Sequence, residues 1–154
     1  MDVLICDDEP LATERLARLV TQLGHQVVAT ASHGEQAIEL AGEHQPDVVL
    51  LDIQMPEMDG FQVCQLLKQN EHTRLIPIIL VTALSDRRSR IRGIETGGDD
   101  FISKPFDHVE LVARVKSLVR QKRLNEDLDH AEQVLFSIAR AVESRDPNTG
   151  DHCE

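Results

Sequence analysis

The run Asp47-Val48-Val49-Leu50-Leu51-Asp52 constrains the fold of this chain more than any other stretch. Four consecutive apolar residues, preceded by Pro46 and followed by the Pro/Gly turn Ile53–Gly60, read as a short strand buried on both faces, as in a parallel sheet. The run stops on a carboxylate, Asp52, at the strand's C-terminal end. In open α/β sheets that end faces the ligand crevice.

The same grammar recurs along the chain. Val3–Cys6 is an apolar strand ending in Asp7-Asp8-Glu9-Pro10, with Pro10 suited to the first turn of a helix and the acids to its positive end. Leu11, Leu16, Leu19, Val20 and Leu23 follow at helical spacing, and Gly24 reads as the stop. Val27–Ala31 is a second strand. Ser32 is expected to cap the next helix, with Glu35 completing a capping box and Ala37, Ile38, Leu40 and Ala41 on its inner face. Asp59-Gly60 opens a third helix with Phe61, Val63, Cys64, Leu66 and Leu67 directed inward. Ile76–Thr82 is the fourth strand, an Arg-rich helix follows Ser85-Asp86 and ends at Gly97-Gly98, and Asp100–Lys104 is a fifth strand closed by Pro105. Asp107 caps a last helix. Five strands alternating with five helices predict an α/β fold with a central parallel sheet covered on both faces.

The last helix does not stop where such a domain should. No Gly or Pro interrupts it before Pro147, and from Leu124 the spacing becomes heptad-like through Leu128, Ala131, Leu135, Ile138 and Val142. The chain is therefore expected to divide into a domain over 1–120, a coiled-coil-like linker over 121–144 that pairs two copies through 124–142, and the start of a further domain over 145–154.

Bulk properties exclude other classes. A net charge of −11 argues against a general affinity for nucleic acid or an anionic membrane surface. No apolar run is long enough to span a bilayer and no signal-peptide pattern opens the chain, so a cytoplasmic location is expected. Cys6, Cys64 and Cys153 lack metal-ligand spacing; the first two lie in apolar patterns and read as buried, reduced thiols. The seven histidines read as surface groups.

Four strand ends supply one edge of the sheet: Asp7 and Asp8, then Asp52, then Thr82 with Ala83, then Lys104. Three carboxylates at one crevice repel unless a cation sits among them, and oxygen ligands with retained water are what Mg²⁺ prefers, with Mn²⁺ as a substitute. Asp8, Asp52 and the backbone carbonyl of Gln54 would be its ligands, with Asp7 acting through water. An ammonium from Lys104 and a hydroxyl from Thr82 are what phosphoryl oxygens need.

This constellation resembles the receiver domain of two-component response regulators. The residues that carry the resemblance are Asp7-Asp8, Asp52 with Met55-Pro56 and Asp59-Gly60, Thr82-Ala83, and Lys104-Pro105-Phe106, over roughly residues 1–120. The resemblance implies a flavodoxin-like (βα)5 fold with strand order 2-1-3-4-5. It implies that Asp52 accepts a phosphoryl group from a sensor histidine kinase, that Asp7 and Asp8 hold Mg²⁺, and that Lys104 pairs with the phosphoryl oxygens. It also implies that Thr82 swings inward, followed by Phe101 at the aromatic switch position, where Phe lacks the hydroxyl a Tyr would offer. Gln54 and Leu84 are expected to flank the path of a hydrolytic water and tune the lifetime of the phosphorylated state.

Residues 139–154 resemble the opening of an HD-GYP phosphohydrolase domain, the family that hydrolyses cyclic di-GMP, through the form A-R-A-x-E-x-R-D-P-x-T-G-x-H. That family's metal ligands lie further on, so His152 is not read as one. The resemblance predicts a switch, not a turnover enzyme, whose output domain lies beyond this segment. The alternative is a Mg²⁺-dependent phosphohydrolase with Asp52 as nucleophile; Gln54 stands where such enzymes place a general acid. A flavodoxin-like cofactor binder would want a Ser/Thr/Gly-rich loop where Asp7-Asp8-Glu9 stand.

Overall fold

The computed structural model describes residues 1–83 and 86–145. Two compact units divide the chain, Met1–Arg120 and Gln121–Glu154. In the first, β1 (Asp2–Cys6), α1 (Pro10–Gln22), β2 (Gln26–Ala31), α2 (Gly34–His44), β3 (Val48–Asp52), α3 (Gly60–Gln69), β4 (Ile78–Thr82), α4 (Arg87–Glu95) and β5 (Asp100–Ser103) alternate before α5 (His108–Arg145) begins. The sheet is parallel throughout, in the order β2-β1-β3-β4-β5. The (βα)5 expectation holds.

Alternation along the strands builds two cores. Leu4, Cys6, Val49, Leu51, Ile78 and Leu80 face one way and pack with Ala37, Ala41, Phe61, Val63, Cys64 and Leu67 of α2 and α3. Val3, Ile5, Val48, Leu50, Ile79 and Val81 face the other way and pack with Leu16 and Val20 of α1 and with Leu111, Val115, Leu118 and Val119 of α5. Each large side chain so buried contributes roughly 1.5–3 kcal/mol. Because β3 is sandwiched, it needs no polar face, which is why its sequence reads as an unbroken apolar run.

Local chemistry sets most helix ends. Pro10 opens α1, and Gly24, at φ 83°, follows its end. Asp59 caps α3 in a reciprocal box, its carboxylate accepting from the Gln62 amide at 2.9 Å while the Gln62 side chain accepts from the Asp59 amide at 3.0 Å. The Asp107 carboxylate accepts from the Glu110 amide at 2.7 Å.

Three expectations need correction. The cap of α2 is His33, whose Nδ1 accepts from the Gln36 amide at 3.3 Å; Ser32 lies one residue outside, its amide donating to the Gln36 side chain at 3.0 Å, and Glu35 takes no part. The motif is shifted by one residue because the backbone is extended at His33, which sets its ring nitrogen against the Gln36 amide. Leu66, expected to face inward, is exposed, and Leu11, at helical spacing with the buried positions of α1, is exposed too. Finally, β4 begins at Ile78 and β5 ends at Ser103, so Pro77 precedes its strand and Lys104 follows its own.

The second unit, over its described residues 121–145, is helix. Leu124, Leu128, Leu135, Ile138 and Val142, the heptad positions apart from Ala131, are all more than half exposed. Phe136 is exposed too, with the Arg140 guanidinium 5.8 Å from its ring. Cys153, His152 and the rest of 146–154 lie outside the described residues, as do Leu84 and Ser85.

Candidate functional site

Strand register brings the chemical groups level. Cys6 pairs with Leu51, Asp52 with Val81, and Thr82 with Ser103. The residue after Cys6 is therefore abreast of Asp52, and the residue after Ser103 stands just beyond Thr82. The Lys104 amide donates to the Thr82 carbonyl at 2.7 Å, which fixes where the lysine leaves the sheet.

Asp7, Asp8 and Asp52 converge, with one carboxylate oxygen from each lying within 4.8 Å of the others. Asp7 is buried to 2% exposure and Asp52 to 7%, while Asp8 is open to solvent. Asp7 divides its oxygens: one accepts from the Glu9 amide at 2.9 Å, the other from Lys104 Nζ at 3.0 Å. The same ammonium stands 3.7 Å from Asp52. Burial first, then the charge of Asp7, and to a lesser degree that of Asp8, push the Asp52 carboxyl up to about 6; Lys104 and the Ile53 amide pull the other way. Burial works against the charge of Lys104, but Asp7, Asp52 and Glu9 together raise its pKa above the ordinary lysine value.

The site is thus short of positive charge, with one lysine among three carboxylates. Hard oxygen donors with an unneutralised surplus suit a divalent cation. The Met55 and Gly60 amides both donate to the Ile53 carbonyl, at 3.1 and 2.9 Å, and neither engages the carbonyl of Gln54.

Gly60 contributes something that periodicity did not reveal. A Cβ at this position would collide with the Asp52 carbonyl oxygen and stand 2.7 Å from Ile53 Cα. The start of α3 can lie against the end of β3 only because residue 60 has no side chain. The Asp-Gly signature was visible as a helix start; its second purpose was not.

The remaining candidates lie around this centre. Thr82 is fully buried at the end of β4. Phe101 is half-buried, packed on the α2/α3 core with the Arg90 guanidinium 5.9 Å from its ring. Gln54 is exposed, and Leu84 is outside the described residues. Cys6 lies beneath, its Sγ 3.5 Å from Met55 Sδ, and burial followed by the nearby acids pushes its thiol up to about 12. Burial likewise pushes the Cys64 thiol to about 11, so both are unreactive packing groups. Beside Lys104 a cleft of about 570 Å³ opens, lined by Ala12, Leu16, Leu19, Pro105 and Phe106 among others.

Known proteins share this fold and sequence pattern. The profile described as "Response regulator receiver domain" matches residues 3–116. Response regulator PleD of Caulobacter vibrioides is 44% identical over 130 residues, which are 84% of this chain but only 28% of that protein. Among solved structures, the signal receiver domain of a signal transduction histidine kinase from Syntrophus aciditrophicus superposes with a TM-score of 0.71 at 38% identity, covering 78% of this chain and 90% of that one. A CheX–CheY–BeF3–Mg complex from Borrelia burgdorferi gives 0.72 at 30% identity, covering 77% and 88%.

Proposed function

The chain belongs to the response regulator receiver family of two-component signalling, and on that premise we propose that Asp52 is its phosphorylation site, charged by a sensor histidine kinase. The observation that carries this reading is the placement of Lys104 Nζ 3.0 Å from Asp7 and 3.7 Å from Asp52, across an acidic cluster fit for a divalent cation. A carboxylate oxygen of Asp52 attacks phosphorus, the P–N bond to the kinase histidine breaks, and the electron pair leaves with the imidazole. Lys104 receives a phosphoryl oxygen, and the Thr82 hydroxyl donates to another. Asp8, Asp52 and the Gln54 carbonyl would hold Mg²⁺, with Asp7 acting through water; the ion would supply neutralisation of the charge that builds on the transferring group.

Receiver domains are switches and not turnover enzymes, and the exposed Gln54 two residues past the nucleophile suits slow self-dephosphorylation. Apolar Leu84 is assigned the task of hindering in-line water. Phosphorylation turns the already buried Thr82 hydroxyl toward the phosphoryl group, Phe101 follows, and the face formed by α4, β5 and α5 changes state.

The division into a receiver over 1–120, a linker over 121–144 and an output domain opening at 145 belongs to the same proposal. Its support is the heptad series left uncovered on α5 and the HD-GYP-like form of 139–154. The whole protein is then a cyclic di-GMP phosphodiesterase whose paired linker helices transmit the receiver's state.

Incubation with acetyl phosphate and Mg²⁺, followed by intact mass, tests the central step. The wild-type chain should gain one phosphoryl group and Asp52→Asn none; equal labelling of both would overturn the assignment.

A further inference from the structure

Helix α4 is held very unequally at its two ends. At the C-terminal end the Gly97 amide donates to the Ile94 carbonyl at 3.1 Å, and the Gly93 carbonyl accepts from the Gly98 amide at 2.9 Å and the Thr96 hydroxyl at 3.0 Å. Gly97 sits at φ 91° with the Lys68 stem where its side chain would be. Lys68 is itself tied down, its Nζ donating to Asp99 at 2.7 Å and to the Ile76 carbonyl at 2.9 Å, while Asp99 also accepts from the Ile78 amide at 2.8 Å. One turn back, Gly93 is the only buried residue of α4. A Cβ there would stand 3.0 Å from Leu80, 3.6 Å from Phe101 and 3.7 Å from Phe61. Arg92 adds its guanidinium 4.6 Å from the Phe61 ring and 3.6 Å from the Asp59 carboxylate, which caps α3 beside the acidic site.

Among the described residues, the N-terminal end has none of this. Its cap is the exposed carboxylate of Asp86, which accepts from the Ser89 amide and hydroxyl, both on the helix itself. Arg87, Arg88 and Arg90 are exposed, and the hold on the body found among the described residues is Arg90 over Phe101, at 5.9 Å.

We infer that α4 is a strut hinged at Gly93 and bolted beyond it, so that only its first turn and a half swings when Phe101 turns inward. The inference rests on the switch reading above, which makes Phe101 the moving part. Inward rotation of that ring withdraws the one surface Arg90 covers and leaves Phe61, Asp59, Leu80 and Lys68 in place. Motion follows the weakly held end because the bolted end would lose several hydrogen bonds and a packed glycine seat at once.

Hydrogen exchange on the full 154-residue chain decides it, with Mg²⁺ and beryllofluoride as the phosphoryl mimic and bound fluoroberyllate followed by ¹⁹F NMR. In the free protein the amides of 90–92 should exchange at least about tenfold faster than those of 95–98. Beryllofluoride should change the first group by about tenfold and the second by less than about twofold. Lys68→Met, which removes a bolt remote from the acidic site, should spread the change into 95–98. Bound fluoroberyllate with equal change in both groups overturns the hinge and leaves the switch reading standing. Absence of bound fluoroberyllate on the wild-type chain overturns both. Free-state exchange that is uniform along α4 overturns the hinge alone.

Discussion

Lys104 is committed to Asp7, at 3.0 Å, more closely than to Asp52, at 3.7 Å. In the free protein the lysine is therefore chiefly the counter-charge of a buried neighbour, and only secondarily a partner of the proposed nucleophile. Replacing it with methionine should strand Asp7 in the interior. Breaking a buried pair from one side costs about 3–5 kcal/mol, and the exposed flank of Lys104 reduces this to roughly 1–3 kcal/mol. Urea denaturation with and without Mg²⁺ checks it: the loss should shrink when the cation is added, because a second positive charge takes over the neutralisation.

Asp52 predicts a pH dependence of definite sign. Its carboxyl rises from 3.8 to about 6 on folding, chiefly through burial and then through Asp7. The folded state holds this proton more tightly than the unfolded chain, so the stabilising protonated form is fully present below about 4 and is lost as pH rises through about 6. At pH 7.5 the ionised group weakens the fold by up to roughly 3 kcal/mol. Asp52→Asn should therefore be more stable than wild type at pH 7.5 and nearly equal to it at pH 4. A gain that is the same at both values would contradict the electrostatic account.

Two glycines make a matched pair. Gly60→Ala drives a Cβ into the Asp52 carbonyl and should destabilise by more than about 2 kcal/mol, with loss of beryllofluoride binding as α3 is pushed off β3. Gly42→Ala, in the exposed face of α2 with nothing within 4 Å of the new methyl, should stabilise by about 0.5–1 kcal/mol. Thermal melts of the two variants should move in opposite directions.

Leu84→Asn tests the lifetime proposal. If the apolar side chain impedes the attacking water, autophosphatase release of phosphate should speed up by several-fold, on the order of 1 kcal/mol in barrier. An unchanged rate of phosphate release would remove Leu84 from the account.

The linker is open to a solution measurement. Leu128→Glu and Leu135→Glu place charges on the exposed heptad stripe and should abolish pairing while leaving the receiver's melting unchanged. Light scattering of the wild-type chain at high micromolar concentration, phosphorylated and not, should show the dimer; a monomer in both states would refute it.

Much of this molecule could be read before any coordinates, for identifiable reasons. Val48–Leu51 has no polar face, so its place in the middle of a parallel sheet follows directly. Once the strands are parallel, Asp7, Asp52, Thr82 and Lys104 must share an edge, because each directly ends or follows an apolar run. What escaped depends on tertiary approach or on unusual donors. The cap of α2 falls on His33 and not on Ser32 because His33 acts through a ring nitrogen outside the usual Ser/Thr pattern. Leu11 and Leu66 stand at helical spacing with buried neighbours and are still exposed, since spacing does not say how wide the covered stripe is. The contact of Gly60 with Asp52, and the reach of Arg92 to Asp59 and Phe61, join elements distant in sequence and leave no periodic trace.

The strict parting of strand side chains into two cores has an evolutionary corollary. Val48 and Leu50 are read by α1 and α5, whereas Val49 and Leu51 are read by α2 and α3. Substitutions in one layer can drift without repacking the other, so the flank beside α1 and the flank near Phe61 and Phe101 are free to diversify separately. A single-residue insertion in β3 would exchange the two sets and ruin both at a stroke; lineages of this fold should therefore tolerate length changes in their loops and almost none in that strand.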